Sequence, residues 1–184
     1  VRRIAFTGSV ATGRHLATVA AGRLVPLTLE LGGKSPLVVF ADADIERAVA
    51  AAVSAVAFNA GQVCSATTRL LVEAPAHDEV AARVVDAVAR LAPGVDFGPM
   101  ITEAQYDKVL EHVGAARAAG VEPATGGGAY DEGPAAQGLY VRPTVYVPGP
   151  PDVPPAREDV LGPGPLTMPA AGEETSMSAK HLRS

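Results

Sequence analysis

Tryptophan is absent from this 184-residue sequence, aromatic residues make up only 4% of it, and there is a single cysteine, Cys64. One cysteine excludes an internal disulfide framework and fits a reducing compartment, so a cytoplasmic location is expected. With so few aromatics, the core must rest on Ala, Val and Leu. Basic residues are in deficit, 15 Lys and Arg against 20 Asp and Glu, for a net charge of -5. That balance leaves no footprint for nucleic acid and no cationic face for a membrane surface. No apolar run approaches a membrane span, and the N-terminus lacks a signal-peptide h-region. No metal site is expected. The chain also lacks an initiator methionine: Val1-Arg2-Arg3 runs straight into a strand, which reads as a fragment of a longer protein. What remains is 48% hydrophobic and 19% charged, the composition of a folded globular chain.

The stretch around which the chain is organised is Phe58-Asn59-Ala60-Gly61-Gln62-Val63-Cys64-Ser65-Ala66. It separates a long Ala/Val-rich helical run from the strand-like Thr67-Thr68-Arg69-Leu70-Leu71-Val72. Gly61 breaks the helical pattern and allows close approach of whatever lies opposite. Cys64 therefore falls on a kinked junction, with small Ser65 and Ala66 leaving room beside the sulfur. Two readings stand at this point: a small buried hydrophobe, or a nucleophile whose thiolate is favoured by local dipoles.

Upstream, Ile4-Ala5-Phe6 reads as a short buried strand, Thr7-Gly8-Ser9 as a turn, and Val10 to Ala21 as a helix closed by Gly22. A strand, a Gly-Ser turn and a helix N-terminus can bind a phosphate, though the same pattern also serves simple capping. Three stricter fingerprints fail. Gly8 and Gly13 have Walker-like spacing, but Arg14-His15 stands where Lys-Ser/Thr is required. The dinucleotide G-x-G-x-x-G is absent, and Thr12 occupies a glycine position of the short-chain dehydrogenase pattern. In Pro26 to Leu31, Thr28, Glu30 and Gly32 share one face and Leu27, Leu29 and Leu31 the other. Glu30 thus faces water, a partner or a cleft, or merely decorates an edge strand.

Leu37-Val38-Val39-Phe40 reads as a fully apolar strand, covered on both faces. Asp42 or Asp44 caps a helix from Ile45 to Phe58. Thr68 to Val72 is a strand, His77 to Leu91 a helix, and Ala92 to Pro99 a loop. A helix capped by Thr102 runs to Ala119. Val121 to Thr125 reads as a short strand, Gly126-Gly127-Gly128 as a turn, and Leu139 to Val147 as a strand broken by Pro143. Alternating helix and strand predicts an α/β fold, a mainly parallel sheet with flanking helices. From Pro148 the pattern fails, and no period is visible from Pro163 to Ser184.

Taken together and in order, Phe6-Thr7-Gly8-Ser9, Leu29-Glu30-Leu31-Gly32-Gly33-Lys34-Ser35-Pro36, Gly61-Gln62-Val63-Cys64, Phe97-Gly98-Pro99 and Arg142-Pro143-Thr144-Val145 resemble the aldehyde dehydrogenase superfamily. The resemblance implies NAD(P)-dependent oxidation of an aldehyde, a small-molecule substrate, through a covalent cysteine intermediate. Cys64 is then the nucleophile and Glu30 the base that activates water. It also implies contacts to NAD or NADP from Thr7, Gly8, Ser9, Thr12, Gly13, Leu31, Gly32 and Asp159. Residues 1–33 become the end of a Rossmann-like cofactor domain, 34–163 part of a catalytic domain, and 164–184 an unpatterned tail. The parent protein is expected to be a homo-oligomer. Asp159 and Leu161 depart from the family, which has Glu and Phe there; Asp shortens the reach to the nicotinamide ribose by one methylene. The isolated chain is expected to lack dehydrogenase activity. Two rivals remain: a non-catalytic remnant, and an interaction module that folds only against another chain.

Overall fold

The computed structural model describes residues 1–147, 162–163 and 166–167. They form two compact units, divided between Gly33 and Lys34.

The first unit is a strand, a helix and a parallel strand. β1 (Ile4–Gly8) pairs with β2 (Leu27–Leu31) in the register Ile4↔Leu27 through Gly8↔Leu31. α1 (Val10–Ala21) makes the crossover. Its N-cap is Ser9, whose side chain accepts from the Thr12 N–H at 3.2 Å. Leu27, Leu29 and Leu31 are half-buried while Thr28 and Glu30 are exposed, so β2 shows the expected alternation. Gly13 is buried where α1 crosses β2: a Cβ there would lie 2.7 Å from Leu31 Cδ2. Glycine leaves that space to the Leu31 side chain, which would have to shift to admit a Cβ. β1 extends through Thr7 and Gly8, residues whose sequence reads as a turn, because both continue the ladder opposite Glu30 and Leu31. It is half-buried at Ile4 and Phe6 and exposed at Ala5, not the buried strand expected.

The second unit is built on a four-stranded, all-parallel sheet. Its members are β3 (Pro36–Val39), β4 (Arg69–Val72), β5 (Val145–Tyr146) and β6 (Leu166–Thr167), in the order β3-β4-β6-β5. β6 lies in a stretch without a strand pattern. A two-residue strand carries too few side chains to show a period of two, yet its backbone joins β4 to β5. The β3 and β4 ends are tied by the Glu73 N–H donating to Val39 O and the Glu73 carboxylate accepting from the Ala41 N–H.

α2 (Ile45–Ala57) and α3 (Ala74–Ala89) build the main core against this sheet. Val49, Ala52 and Val56 of α2 recur at helical spacing, as do Val80, Val84 and Val88 of α3, and all are buried with Leu70, Val72 and Val39. Asp44, not Asp42, caps α2 by accepting from the Arg47 N–H. α3 begins at Ala74, three residues earlier than expected, because Pro75 is accommodated in the first turn, where its missing N–H has no intrahelical acceptor. Among the described residues, nothing covers the other face of β3: Val38 is 42% and Phe40 61% exposed, against the expectation of a strand buried on both sides.

α4 (Glu103–Ala118) is capped by Thr102 and joins a second cluster of Met100, Val109 and Val141. Val121 to Thr125 forms no strand; Thr125 makes a single antiparallel bridge to Val145. The chain then turns sharply through Gly126 and Gly127, at φ 81° and 86°. The region from Leu139 likewise reduces to β5 and a bridge between Ala129 and Val141. Among the described residues, no helix is long and apolar enough to cross a membrane.

Leu70 is fully buried at the centre of the main core. Leu70→Ala is expected to cost about 2–5 kcal/mol in urea unfolding. Val38→Ala, on the open face, should cost under about 1 kcal/mol. Equal shifts of the two midpoints would contradict this placement of the core.

Candidate active site

α2 does not end in a conventional cap. A short 3₁₀ turn, Phe58–Gly61, follows it, with Asn59 at φ 51°, Ala60 at φ 52° and Gly61 at φ 65°. Left-handed geometry costs an ordinary L-residue roughly 1–2 kcal/mol. Asn tolerates it through local hydrogen bonds, but Ala60 has no such means. The turn is therefore held from outside.

One constraint is steric. A Cβ on Gly61 would lie 2.0 Å from Gly162 O and 2.7 Å from Gly162 C, so the backbone of residues 162–163 passes directly over Gly61. Gly61 does permit the close approach its sequence position implies. The second constraint is polar. The Asn59 side chain donates to Gln62 O at 3.1 Å, and Gln62 Nε2 donates to Asn59 O at 3.0 Å and to Pro99 O at 3.4 Å. Gln62 Oε1 accepts from the Ile101 N–H at 3.0 Å. No local pattern announces this role for Gln62, because its partners lie nearly forty residues downstream.

Cys64 comes two residues later. The Ala66 N–H donates to Val63 O at 3.1 Å, closing a tight turn with Cys64 at its tip. The thiol is free and exposed, so the buried-hydrophobe reading does not hold. A cavity of about 220 Å³ lies beside it, lined by Ser54, Phe58, Val63, Ser65 and Thr67. A second, of about 380 Å³, lies between Asn59, Asp96, Phe97, Gly98 and Tyr140. Phe97 is buried and packs against the Tyr130 and Tyr140 rings, with centroids 6.4 and 6.1 Å away. The Arg142 guanidinium stacks over Tyr130. Burial pushes the Tyr130 phenol above its ordinary pKa, and the Arg142 charge partly opposes this.

The other expected site residues lie in the first unit. Thr7, Gly8 and Ser9 follow one another out of β1, and Glu30, Leu31 and Gly32 out of β2, so all six occupy the carboxyl ends of a parallel pair. Thr7 and Glu30 are register partners, and both are exposed. Thr12 and Gly13 sit in the first turn of α1; Thr12 Oγ1 accepts from the Ser9 hydroxyl at 3.0 Å, and the Gly13 N–H donates to Ser9 O. The N–H groups of Val10 and Ala11 have no intrahelical acceptor by helix geometry and face the same end. This arrangement suits a phosphate of a dinucleotide. Asp159 and Leu161 lie outside the described residues. Among those described, no cluster of three or more His, Cys, Asp or Glu is arranged to hold a metal ion.

The model of the aldehyde dehydrogenase family matches residues 1–178. The chain belongs to that family. An aldehyde dehydrogenase fold is also seen in solved structures similar to it. A betaine aldehyde dehydrogenase from Staphylococcus aureus, in complex with NAD+, is 34% identical with a TM-score of 0.89, over 99% of this chain and 37% of that one. An aldehyde dehydrogenase from Bacillus cereus in its NAD+ complex is 30% identical, TM-score 0.87, over 98% and 37%. An aldehyde dehydrogenase mutant from Pseudomonas syringae, complexed with NAD+ and octanal, is 32% identical, TM-score 0.85, over 93% and 36%. The chain thus spans about a third of the length of the solved chains it matches.

For this family member, the crossing of residues 162–163 over Gly61 makes a clear demand. Gly61→Ala places a methyl inside the contact distance of a backbone carbonyl and at a left-handed φ. It should destabilise the second unit by more than roughly 1–2 kcal/mol. Gly114→Ala, inside α4 with nothing within 4 Å, should instead stabilise by about 0.4–1 kcal/mol. Opposite movements of the two unfolding midpoints are the expected result.

Proposed function

We propose that the protein oxidises an aldehyde to a carboxylic acid with NAD or NADP, through a covalent intermediate on Cys64. Residues 1–33 contribute to the cofactor domain and residues 34–163 to the catalytic domain, with 164–184 as a tail. The observation that carries the reading is the presentation of an exposed, free Cys64 at the tip of a braced turn in a chain of this family.

In the proposed sequence, Cys64 Sγ adds to the aldehyde carbon as the thiolate, and the carbonyl oxygen takes up a proton to give a thiohemiacetal. The small side chains of Ser65 and Ala66 leave space for that carbon. A bound nicotinamide dinucleotide supplies the acceptor for the hydride whose loss, together with the hydroxyl proton, turns the thiohemiacetal into a thioester. Glu30 takes a proton from water as the water adds to the thioester carbon. The C–S bond then breaks, releasing the acid and the Cys64 thiolate. The Cys64 backbone N–H is suited to stabilise the oxyanion at both additions. Ser9 and the first turn of α1 hold phosphate, with Thr7, Gly8, Thr12, Gly13, Leu31, Gly32 and Asp159 as the other cofactor contacts. The NAD+ complexes of relatives support NAD as cofactor, and the betaine aldehyde and octanal of their names support a small-molecule aldehyde as substrate.

The test is aldehyde-dependent NAD(P)H formation by the full-length protein. Cys64→Ala should abolish it. Glu30→Gln should leave a burst of NAD(P)H of one equivalent per site, followed by steady-state turnover slower by roughly 10²–10⁴-fold. Turnover at the parent rate in the Cys64→Ala variant would sink the covalent reading, and an unchanged steady state in Glu30→Gln would return that residue to an edge-strand decoration.

A further inference from the structure

We propose that Gln62 is a positioning residue for the nucleophile: its carboxamide fixes the Cys64 turn to the Pro99–Ile101 segment, and the reactivity of the thiol depends on that bridge. This rests on the covalent role proposed for Cys64 and adds the group that orients it.

The argument starts from what a primary amide provides. Gln62 uses both ends of its side chain, Nε2 as donor to Asn59 O and Pro99 O, and Oε1 as acceptor from the Ile101 N–H. The segment it grips is itself anchored. Met100 is buried against Val109 and Val141, and its N–H donates to Leu139 O at 2.8 Å. Ile101, by contrast, is 82% exposed, and its backbone N–H donates to Gln62 Oε1. On the other side of the bridge stand Asn59 and Ala60, both left-handed, and such geometry persists only where surrounding contacts over-determine it. The side chain thus links the segment anchored by Met100 to the left-handed turn, in addition to the packing at Ala60 and Gly61.

Cys64 is two residues beyond Gln62, at the tip of the turn closed by Ala66 and Val63. A change in the Gln62 backbone therefore re-aims the sulfur directly. Among the described residues, Gln62 is the side chain of the Phe58–Ala66 stretch that hydrogen-bonds to the Pro99–Ile101 segment. Charge also matters. A glutamate at position 62 keeps the shape and the Ile101 bond, but sets a carboxylate oxygen against the Asn59 and Pro99 carbonyls with no proton to donate.

The experiment uses p-nitrophenyl acetate, whose acetyl group transfers to Cys64 Sγ as the ester C–O bond breaks and p-nitrophenolate leaves. No cofactor is needed, and the release of one equivalent is read by absorbance. Gln62→Ala and Gln62→Glu are compared with the parent full-length protein. The limiting acylation rate should fall by roughly 10- to 100-fold, as expected for a misplaced reacting group. The half-saturating ester concentration should stay within about twofold, because the bridge does not contact the ester. In urea, where the turn is lost, Cys64 should react with iodoacetamide at one rate in all three proteins. Should Gln62→Ala fail to fold, the near-isosteric Gln62→Glu carries the comparison. A parent-like limiting rate in folded Gln62→Glu overturns the proposal. So does a rise confined to the half-saturating concentration. A burst that survives Cys64→Ala overturns the covalent role of Cys64 and this proposal together, which distinguishes that failure from loss of the Gln62 role alone.

Discussion

The left-handed run at Asn59, Ala60 and Gly61 is the constraint on which the candidate site depends. It follows α2 directly, and within a few residues the chain reaches an exposed Cys64. Such a run is unfavourable in isolation, since only glycine adopts it without steric cost. It survives because two distant parts of the chain constrain it: the backbone at Gly162 against Gly61, and the Pro99–Ile101 segment through Gln62. Each contact spans tens of residues in sequence. The geometry of the cysteine turn is thus a tertiary property, present only when the second unit is folded.

That dependence separates what is legible in the sequence from what is not. The α/β alternation, the parallel pairing, the limits of α1, an Asp cap on α2 at position 42 or 44, the Thr102 cap and the polar face of β2 all follow from local patterns, and each is present in the structure, with Asp44 as the α2 cap. The importance of Gly61 is legible too, since a glycine that breaks a helical period marks a left-handed residue or a close approach, and here it is both. Its partner is not, because a backbone–backbone approach leaves no side-chain signature at the other end. β6 escapes for a related reason, its two residues being placed by pairing with neighbours on either side. Val121 to Thr125 and Leu139 to Val147 differ in the opposite direction. Their composition suits a strand, but Gly126, Gly127 and Pro143 bend the chain, and bridges of one or two residues are what remains. In β3, an apolar sequence does not entail cover on both faces, since Val38 and Phe40 stay open.

In the first unit, the same physical logic works by local means. α1 packs onto β2 at Gly13, where the Leu31 side chain takes the space a Cβ would need. Ser9, the cap of α1, follows Thr7 and Gly8 directly, and Thr7 pairs with Glu30 in the ladder. The glycine patterns of dinucleotide-binding and P-loop sequences are missing here. A single helix-packing glycine and a serine cap take their place, which is why stricter fingerprints fail although the strand–turn–helix geometry is present.

The scarcity of aromatic residues acquires a meaning in the second unit. Its main core is nearly all Ala and Val, small side chains that lose little rotamer freedom on burial and allow α2 and α3 to lie close to the sheet. Phe97, Tyr130 and Tyr140 are placed elsewhere, around loops with no regular hydrogen-bond ladder to fix them. A rigid ring supplies a large contact area at the cost of two torsions, so a few aromatics can order irregular backbone that Ala and Val cannot. From Phe97 the chain passes through Pro99 to buried Met100 and on to Ile101, whose amide meets Gln62. Aromatic packing, a buried methionine and one carboxamide thus form a continuous mechanical connection from the loop cluster to the cysteine turn. The helical core sets where α2 ends, and this second path braces the Cys64 turn that follows it.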